Sequence, residues 1–266
     1  MQFWTLDEIE HHAMADHEVG EEIAPGVTIT RRRILQAGLA GAAGLLAAGC
    51  AGPGTRTDPG PDVADEPLTI EQLLARVRPE ARRMIASECP DETAYLAAVS
   101  SLLARYQPEE PWSVREPNDG RWSMNTVARV PPVIVFEIRM RPGAKIDLHD
   151  HRHYNGVLVC REGSVRCRNF DIVQPDGREL DIAAGEVPTG GDFLIRQNRD
   201  AILTRGLRSK LSRDRDNIHH VEAGPEGCVL SDLFTHFRPE ARSYSIAWDD
   251  TPVSRGSDIY KVSWRS

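Results

Sequence analysis

Leu148-His149-Asp150-His151-Arg152-His153 is the stretch on which the reading of this chain turns. It follows the turn signal Pro142-Gly143 and reads as the end of a strand. Successive strand side chains alternate between faces, so His149, His151 and His153 share one side, Asp150 and Arg152 the other. Two imidazoles two residues apart on one face can grip a single ion, and imidazole suits Fe, Zn, Cu and Ni alike. A second cluster far downstream, Asn217-Ile218-His219-His220-Val221-Glu222, is expected to bring a third imidazole from another strand. Of the six histidines after Cys50, five fall in these two clusters and His236 stands apart. His153 is expected in a loop, and His220 on the face opposite His219.

The surroundings are β-rich from Val130 onward. Ile134, Phe136, Ile138 and Met140 alternate with Val135, Glu137 and Arg139, the pattern of a half-buried strand. Gly156 to Cys160 and Ser164 to Arg168 are expected to form a hairpin around Glu162-Gly163. Further strands are expected at Phe193 to Ile195, Ile218 to Glu222 and Cys228 to Phe234. Many short antiparallel strands without intervening helices predict a closed barrel or jelly roll. Cys160, Cys167 and Cys228 read as core thiols. An oxidising compartment would permit a Cys160–Cys167 disulfide, but a tight turn at Glu162-Gly163 would not set the two opposite each other.

Gly143, five residues, His149, Asp150, His151 and later Gly163 resemble the first motif of the cupin superfamily. That resemblance implies a mainly β, double-stranded β-helix (jelly-roll) barrel preceded by a short helical segment. Most cupins carry a glutamate four or five residues after the second histidine, where this chain has Asn155 and Gly156. In lacking that carboxylate the chain is similar to the thiol dioxygenases: cysteine dioxygenase, 2-aminoethanethiol dioxygenase and the plant cysteine oxidases. Asn217-Ile218-His219 resembles the third-ligand segment of the latter group, and His219-His220-Val221-Glu222 that of cysteine dioxygenase. The resemblance covers roughly residues 68 to 237. It implies a metal held by His149, His151 and His219, iron(II) (Fe(2+)) as cofactor, and a small thiol and O2 as substrates. It also implies roles for Arg121 in binding a substrate carboxylate and for Asp232 in holding a ligand imidazole. Tyr154 lies close enough to the motif to line a pocket. The catalytic tyrosine of cysteine dioxygenase is matched by Phe234 or displaced, which speaks against a tyrosine-assisted step and a Cys–Tyr crosslink.

Three neutral imidazoles leave a divalent ion's charge uncompensated, and a substrate thiolate can supply the missing anion. The leading expectation is therefore an iron-dependent thiol dioxygenase. A non-catalytic metal-binding or sensing lipoprotein is one alternative, and another cupin dioxygenase or isomerase using Fe, Mn, Ni or Zn is a second.

Ahead of this region the chain reads as delivery and tether. Residues 1–30 hold seven acids and no Lys or Arg, and Arg31, Arg32 and Arg33 follow. Thr30-Arg31-Arg32-Arg33-Ile34-Leu35-Gln36 resembles a twin-arginine export motif. Ile34 to Gly49 is uncharged and shorter than the roughly 18–20 residues that span a bilayer, as in a signal peptide. Leu46-Ala47-Ala48-Gly49-Cys50 resembles a lipoprotein cleavage box, so membrane attachment through a lipidated Cys50 and a periplasmic or other extracytoplasmic location are expected. An Ala-rich core helix is the bland alternative. The expected divisions are an export segment at 1–50, a flexible linker at 51–67, a helical subdomain at 68–110 and the barrel at 111–266.

In the helical part Thr69-Ile70-Glu71-Gln72 fits a capping box. Ile70, Leu73, Leu74, Val77 and Ile85 could line one face, with Pro79 breaking or restarting the helix. A second helix is expected from Asp91, burying Leu96, Val99, Leu102 and Leu103 and ending at Tyr106-Gln107-Pro108. A net charge of −8 and a pI near 5.6 argue against a nucleic-acid partner. A monomer is expected.

Overall fold

The computed structural model describes residues 66–108, 114, 117, 121–176, 178–180, 191–213, 215–239 and 241–265. The expected export segment, Cys50 and most of the linker lie outside the described residues. Among the described residues no helix is long and apolar enough to cross a membrane.

Helix α1 (Ile70–Ala86) begins with the expected capping box. Thr69 Oγ1 accepts the Gln72 N–H, and Gln72 Oε1 accepts the Thr69 N–H. The helix runs through Pro79 instead of breaking there. An interior proline costs about 3 kcal/mol, but the buried stripe Leu73, Val77, Ala81 and Met84 continues on both sides of it. At about 1.5–3 kcal/mol for each large apolar side chain buried, that stripe outweighs the lost hydrogen bond. Helix α2 (Glu92–Arg105) is capped by Asp91, whose carboxylate accepts the Ala94 N–H. It buries Tyr95, Leu96, Val99 and Leu103, while Leu102 is only half-buried.

Among the described residues nine strands follow: β1 (Trp122–Val130), β2 (Val133–Met140), β3 (Lys145–Asp150), β4 (Tyr154–Val173), β5 (Asp192–Thr204), β6 (Arg208–Leu211), β7 (Ile218–His236), β8 (Ile246–Ala247) and β9 (Ile259–Trp264). They form one antiparallel sheet ordered β1-β2-β7-β4-β5-β9-β8, with β3 also on β7 and β6 also on β4. The fold is mainly β, a curled half-barrel of the double-stranded β-helix kind with two helices ahead of it.

The curl comes from two long strands that change partners part-way. In β4, Gly156 to Val159 pair with β6 and Ser164 to Val173 with β5. In β7, Ile218 to Glu222 pair with β3 and Cys228 to Thr235 with β2. The hairpin expected around Glu162-Gly163 is therefore absent: both of its arms belong to one strand of 20 residues. Likewise Ile218–Glu222 and Cys228–Phe234 belong to one strand of 19 residues. The glycine signal marks a bend, not a reversal. Gly163 and Gly227 have φ of +67° and +73°, and a Cβ on Gly163 would stand 2.0 Å from the Gly227 carbonyl oxygen. The register shifts on both sides of Gly163. Only a residue without a side chain tolerates that approach.

Strand β2 is buried on both faces, not one. Val133 and Val135 pack with α1 and α2, while Ile134, Phe136, Ile138 and Met140 fill the interior of the curl. The covering helices are the reason, and they leave Glu137 only 1% exposed. Cys160, Cys167 and Cys228 are free and buried, so Cys160 and Cys167 form no disulfide; Cys89 is exposed.

Candidate metal centre

Strand β3 lies antiparallel to the start of β7 with His149 directly opposite His219. Residues opposite one another in such a ladder share a face, so pairing alone brings these imidazoles together across 70 positions of sequence. His151 follows one residue after β3. Its N–H donates to the Asn217 carbonyl at 3.0 Å and to Asn217 Oδ1 at 3.3 Å. The Asn217-Ile218-His219 segment thus holds one ligand on its backbone and carries another on its side chain.

His219 Nε2 lies 3.0 Å from His149 Nε2 and 3.2 Å from His151 Nε2, and the three ligand atoms lie within 4.8 Å of one another. Two nitrogens at right angles on one ion, each about 2.1 Å from it, stand about 3.0 Å apart. The donor set fits a mononuclear metal on that ground. His149 Nδ1–H donates to the Asp147 carbonyl at 2.7 Å, which leaves Nε2 as the ligating atom. His151 and His219 are 0% and 3% exposed. Burial holds all three imidazoles below their ordinary pKa, His151 and His219 well below it, and the neighbouring imidazoles add to the effect on those two. Each is neutral near pH 7, as a ligand must be.

Among the described residues no carboxylate joins the cluster. Asn155, where the cupin glutamate is expected, turns its amide to Glu92 at the start of α2, 3.0 Å away. Glu92 in turn receives Arg213 Nε at 2.8 Å. His220 faces the other side of the sheet, beside Arg168 and Trp248.

A cavity of about 90 Å³ adjoins the imidazoles, with His149 and His219 in its wall. Tyr154 lies in that wall too, its ring 4.4 Å from the His151 ring and its hydroxyl bonded to Ser243 Oγ. Burial raises its phenol well above the ordinary value. Asp232 also lines the cavity at 3% exposure. Its Oδ1 has no hydrogen-bond partner, and burial pushes the carboxyl well above the usual range. It is not the residue that orients a ligand imidazole: the acceptor found at His149 is the Asp147 carbonyl, and the Nδ1 atoms of His151 and His219 have no partner. Arg121 is exposed just before β1 and does not line the cavity, although the next residue, Trp122, does.

His236, Arg242 and Ser243 line the cavity without having been singled out for it. His236 was legible in principle, because it continues the alternation Asp232, Phe234, His236 along β7. Arg242 and Ser243 carried no local signal. They reach the site because the segment after β7 is stitched to β3: Tyr244 and Asp150 exchange backbone and side-chain hydrogen bonds, and Ser245 bridges to His149.

No protein-family model and no curated protein matches the chain. Among solved structures it is similar to KdgF from Halomonas sp., at 13% identity and a TM-score of 0.33, covering 48% of this chain and 88% of that one. It is also similar to an uncharacterized protein with a double-stranded β-helix domain from Klebsiella pneumoniae, at 14% identity and a TM-score of 0.34, covering 49% and 84%. A recombinant oxalate oxidase in complex with glycolate shares 13% identity at a TM-score of 0.31, over 46% of this chain and 54% of that one. Likeness at this level concerns the fold alone.

Proposed function

We propose that the protein is a mononuclear iron(II) dioxygenase that oxidises a small thiol to a sulfinic acid. The observation that carries this reading is a convergence of three neutral imidazoles with no carboxylate among the described residues. His149, His151 and His219 would hold the metal on one side and leave the cavity side for substrate. Bound there, iron supplies the electron-transfer chemistry that lets O2 react with sulfur. In balance, RSH and O2 give RSO2H: the S–H bond breaks, both oxygen atoms end on sulfur, and sulfur gives up the four electrons that O2 takes. The protein keeps the ligand nitrogens unprotonated by burial and aims His149 through the Asp147 carbonyl. Its apolar walls limit water beside the reacting atoms.

Anaerobic loading with ferrous iron, then oxygen-electrode measurements over cysteine, cysteamine and mercapto acids, tests the proposal. Oxygen uptake with products heavier by two oxygen atoms is the expected result. Bound iron with neither uptake nor sulfinate across the panel rejects the activity and favours a metal-binding or sensing role. Metal analysis of the purified protein separates iron from Zn, Mn or Ni. We further propose that the protein works outside the cytoplasm, exported through the twin-arginine segment and attached at Cys50. Fractionation of cells expressing Cys50→Ser is expected to release it from the membrane.

A further inference from the structure

We infer that Glu92, at the start of α2, is a positioning residue: it fixes the backbone that carries His151 into the imidazole cluster. This rests on the reading of the three imidazoles as a metal site. Glu92 is a buried carboxylate in the first turn of α2, where the helix dipole favours negative charge. Its Oε1 accepts Arg213 Nε at 2.8 Å and pairs with Arg213 Nη2 at 2.8 Å. Its Oε2 accepts the Arg213 N–H at 3.2 Å and the Asn155 amide at 3.0 Å. These contacts leave the helix and join two segments of the barrel. One follows His151 in the chain, and the other leads to Asn217 and His219.

From Arg213 the path runs on to the ligand. Asn217 Nδ2 donates to the Ser212 and Arg213 carbonyls at 3.3 and 3.2 Å, and Asn217 Oδ1 accepts the His151 N–H. The contacts close a circuit through His151, Asn217, Arg213, Glu92 and Asn155, with Asn155 four residues beyond His151 on the same chain. A second strut runs beside it. The Arg213 guanidinium lies 3.4 Å from the centre of the Phe237 ring, and the Phe237 N–H donates to the His153 carbonyl at 3.0 Å. His151, Asn155 and Asn217 are buried, so a lost partner is not replaced by water at no cost. Breaking the Glu92–Arg213 pair leaves one member of a mostly buried pair uncompensated, and the backbone at 213–217 must shift to relieve it. The far end of that segment stays tied, because the Asp216 N–H remains on Asp171. The outcome is a displaced His151, not an unfolded sheet.

Cobalt(II) binding and amide hydrogen exchange on the full-length protein test this together. Glu92→Gln is expected to weaken cobalt binding about tenfold, the low end of what loss of a supporting group costs, and to shift the visible cobalt absorption bands. In the metal-free protein its His151 amide is expected to exchange about tenfold faster. Arg213→Met should match these losses. The double variant should lose no more than either single one, since both act on one path. Val99→Ala, a core truncation on the same helix, should lower Tm while leaving the cobalt spectrum, the affinity and His151 exchange at their wild-type values. Unchanged affinity and spectrum in Glu92→Gln overturn the inference. So does an equal loss in Val99→Ala, or a loss of about a hundredfold in the double variant. If Glu92→Gln does not fold, Arg213→Met against Val99→Ala decides by the same readings. If the wild type takes up no cobalt, the metal reading falls, and exchange at His151 alone decides whether Glu92 fixes it.

Discussion

His219 and His220 are neighbours in the chain and opposites in the fold. His220 faces outward, where Arg168 reaches its Nδ1 at 3.4 Å, stacks on Trp248 at 4.6 Å and bonds Asp250 at 2.6 and 3.0 Å. That cluster matches its own charge. His219 faces inward with two other imidazoles, and the three ring nitrogens converge with no carboxylate among the described residues joining them. A polar cluster that balances its own charge stabilises the sheet, whereas one whose lone pairs meet at a single point is built for something that arrives later. Burial depth does not separate them, since His219 and His220 are 3% and 4% exposed. The pattern of partners does.

The largest effect should come from emptying the inner cluster. His219→Ala is expected to weaken metal binding at least about 100-fold, more than loss of a supporting group would. The rise in Tm that metal gives the wild type should vanish with it. Chelator competition and thermal melts check both, and a variant that still melts higher with metal would break the contrast.

Arg168→Met should cost stability, about 2 kcal/mol, with metal affinity unchanged within about twofold. The figure lies below the 3–5 kcal/mol of a fully buried pair because Asp250, left behind, is half exposed. Urea melts beside metal titrations would show it, and a large loss of metal affinity would join the two clusters into one.

A buried, hydrogen-bonded carboxyl elsewhere on the sheet sharpens the comparison through pH. Asp171 accepts the Asp216 N–H and the Asn198 amide, and burial raises its carboxyl from 3.8 to about 6. Its folded pKa lies above its unfolded one. The stability it contributes is therefore full below about pH 4 and is lost as pH rises through about 6. Asp171→Asn should accordingly gain about 1–2 kcal/mol at pH 7 in the metal-free protein and converge with the wild type near pH 4. A gain independent of pH would assign the effect to packing.

The smallest effect is expected at Arg121. Exposed and outside the cavity wall, it should tolerate glutamine within about 0.5 kcal/mol, with metal affinity unaltered in chelator competition. A loss of metal affinity there would join this exposed position to the inner cluster.

Much of the site was legible because its signals are local. The two-residue spacing of His149 and His151 places both on one face whatever β3 pairs with. The Thr69–Gln72 capping box is complete within one turn, and Asp91 caps α2 by the same short-range chemistry. Misreadings arose where one local signal admits two tertiary uses. Glu162-Gly163 can reverse a chain or bend it, and only Gly227 on the facing strand made it a bend. The alternation in β2 reports one buried face, but α1 and α2 buried the other as well. Arg121 and Arg242 look alike in sequence, and a difference in strand stitching placed one in solvent and the other in the wall.

The sequence by itself determined a β-rich chain with two histidine clusters, a helical lead-in and no acid at the usual cupin position. Spacing along a strand and residue chemistry are enough for that. Only the tertiary structure decided that His219 meets His149 and His151, that Asn155 turns to Glu92, and that Arg242, Ser243 and His236 share the cavity. Those facts depend on contacts between residues tens of positions apart. Such contacts are set by strand register and by the bend at Gly163 and Gly227, which no short stretch of the chain encodes.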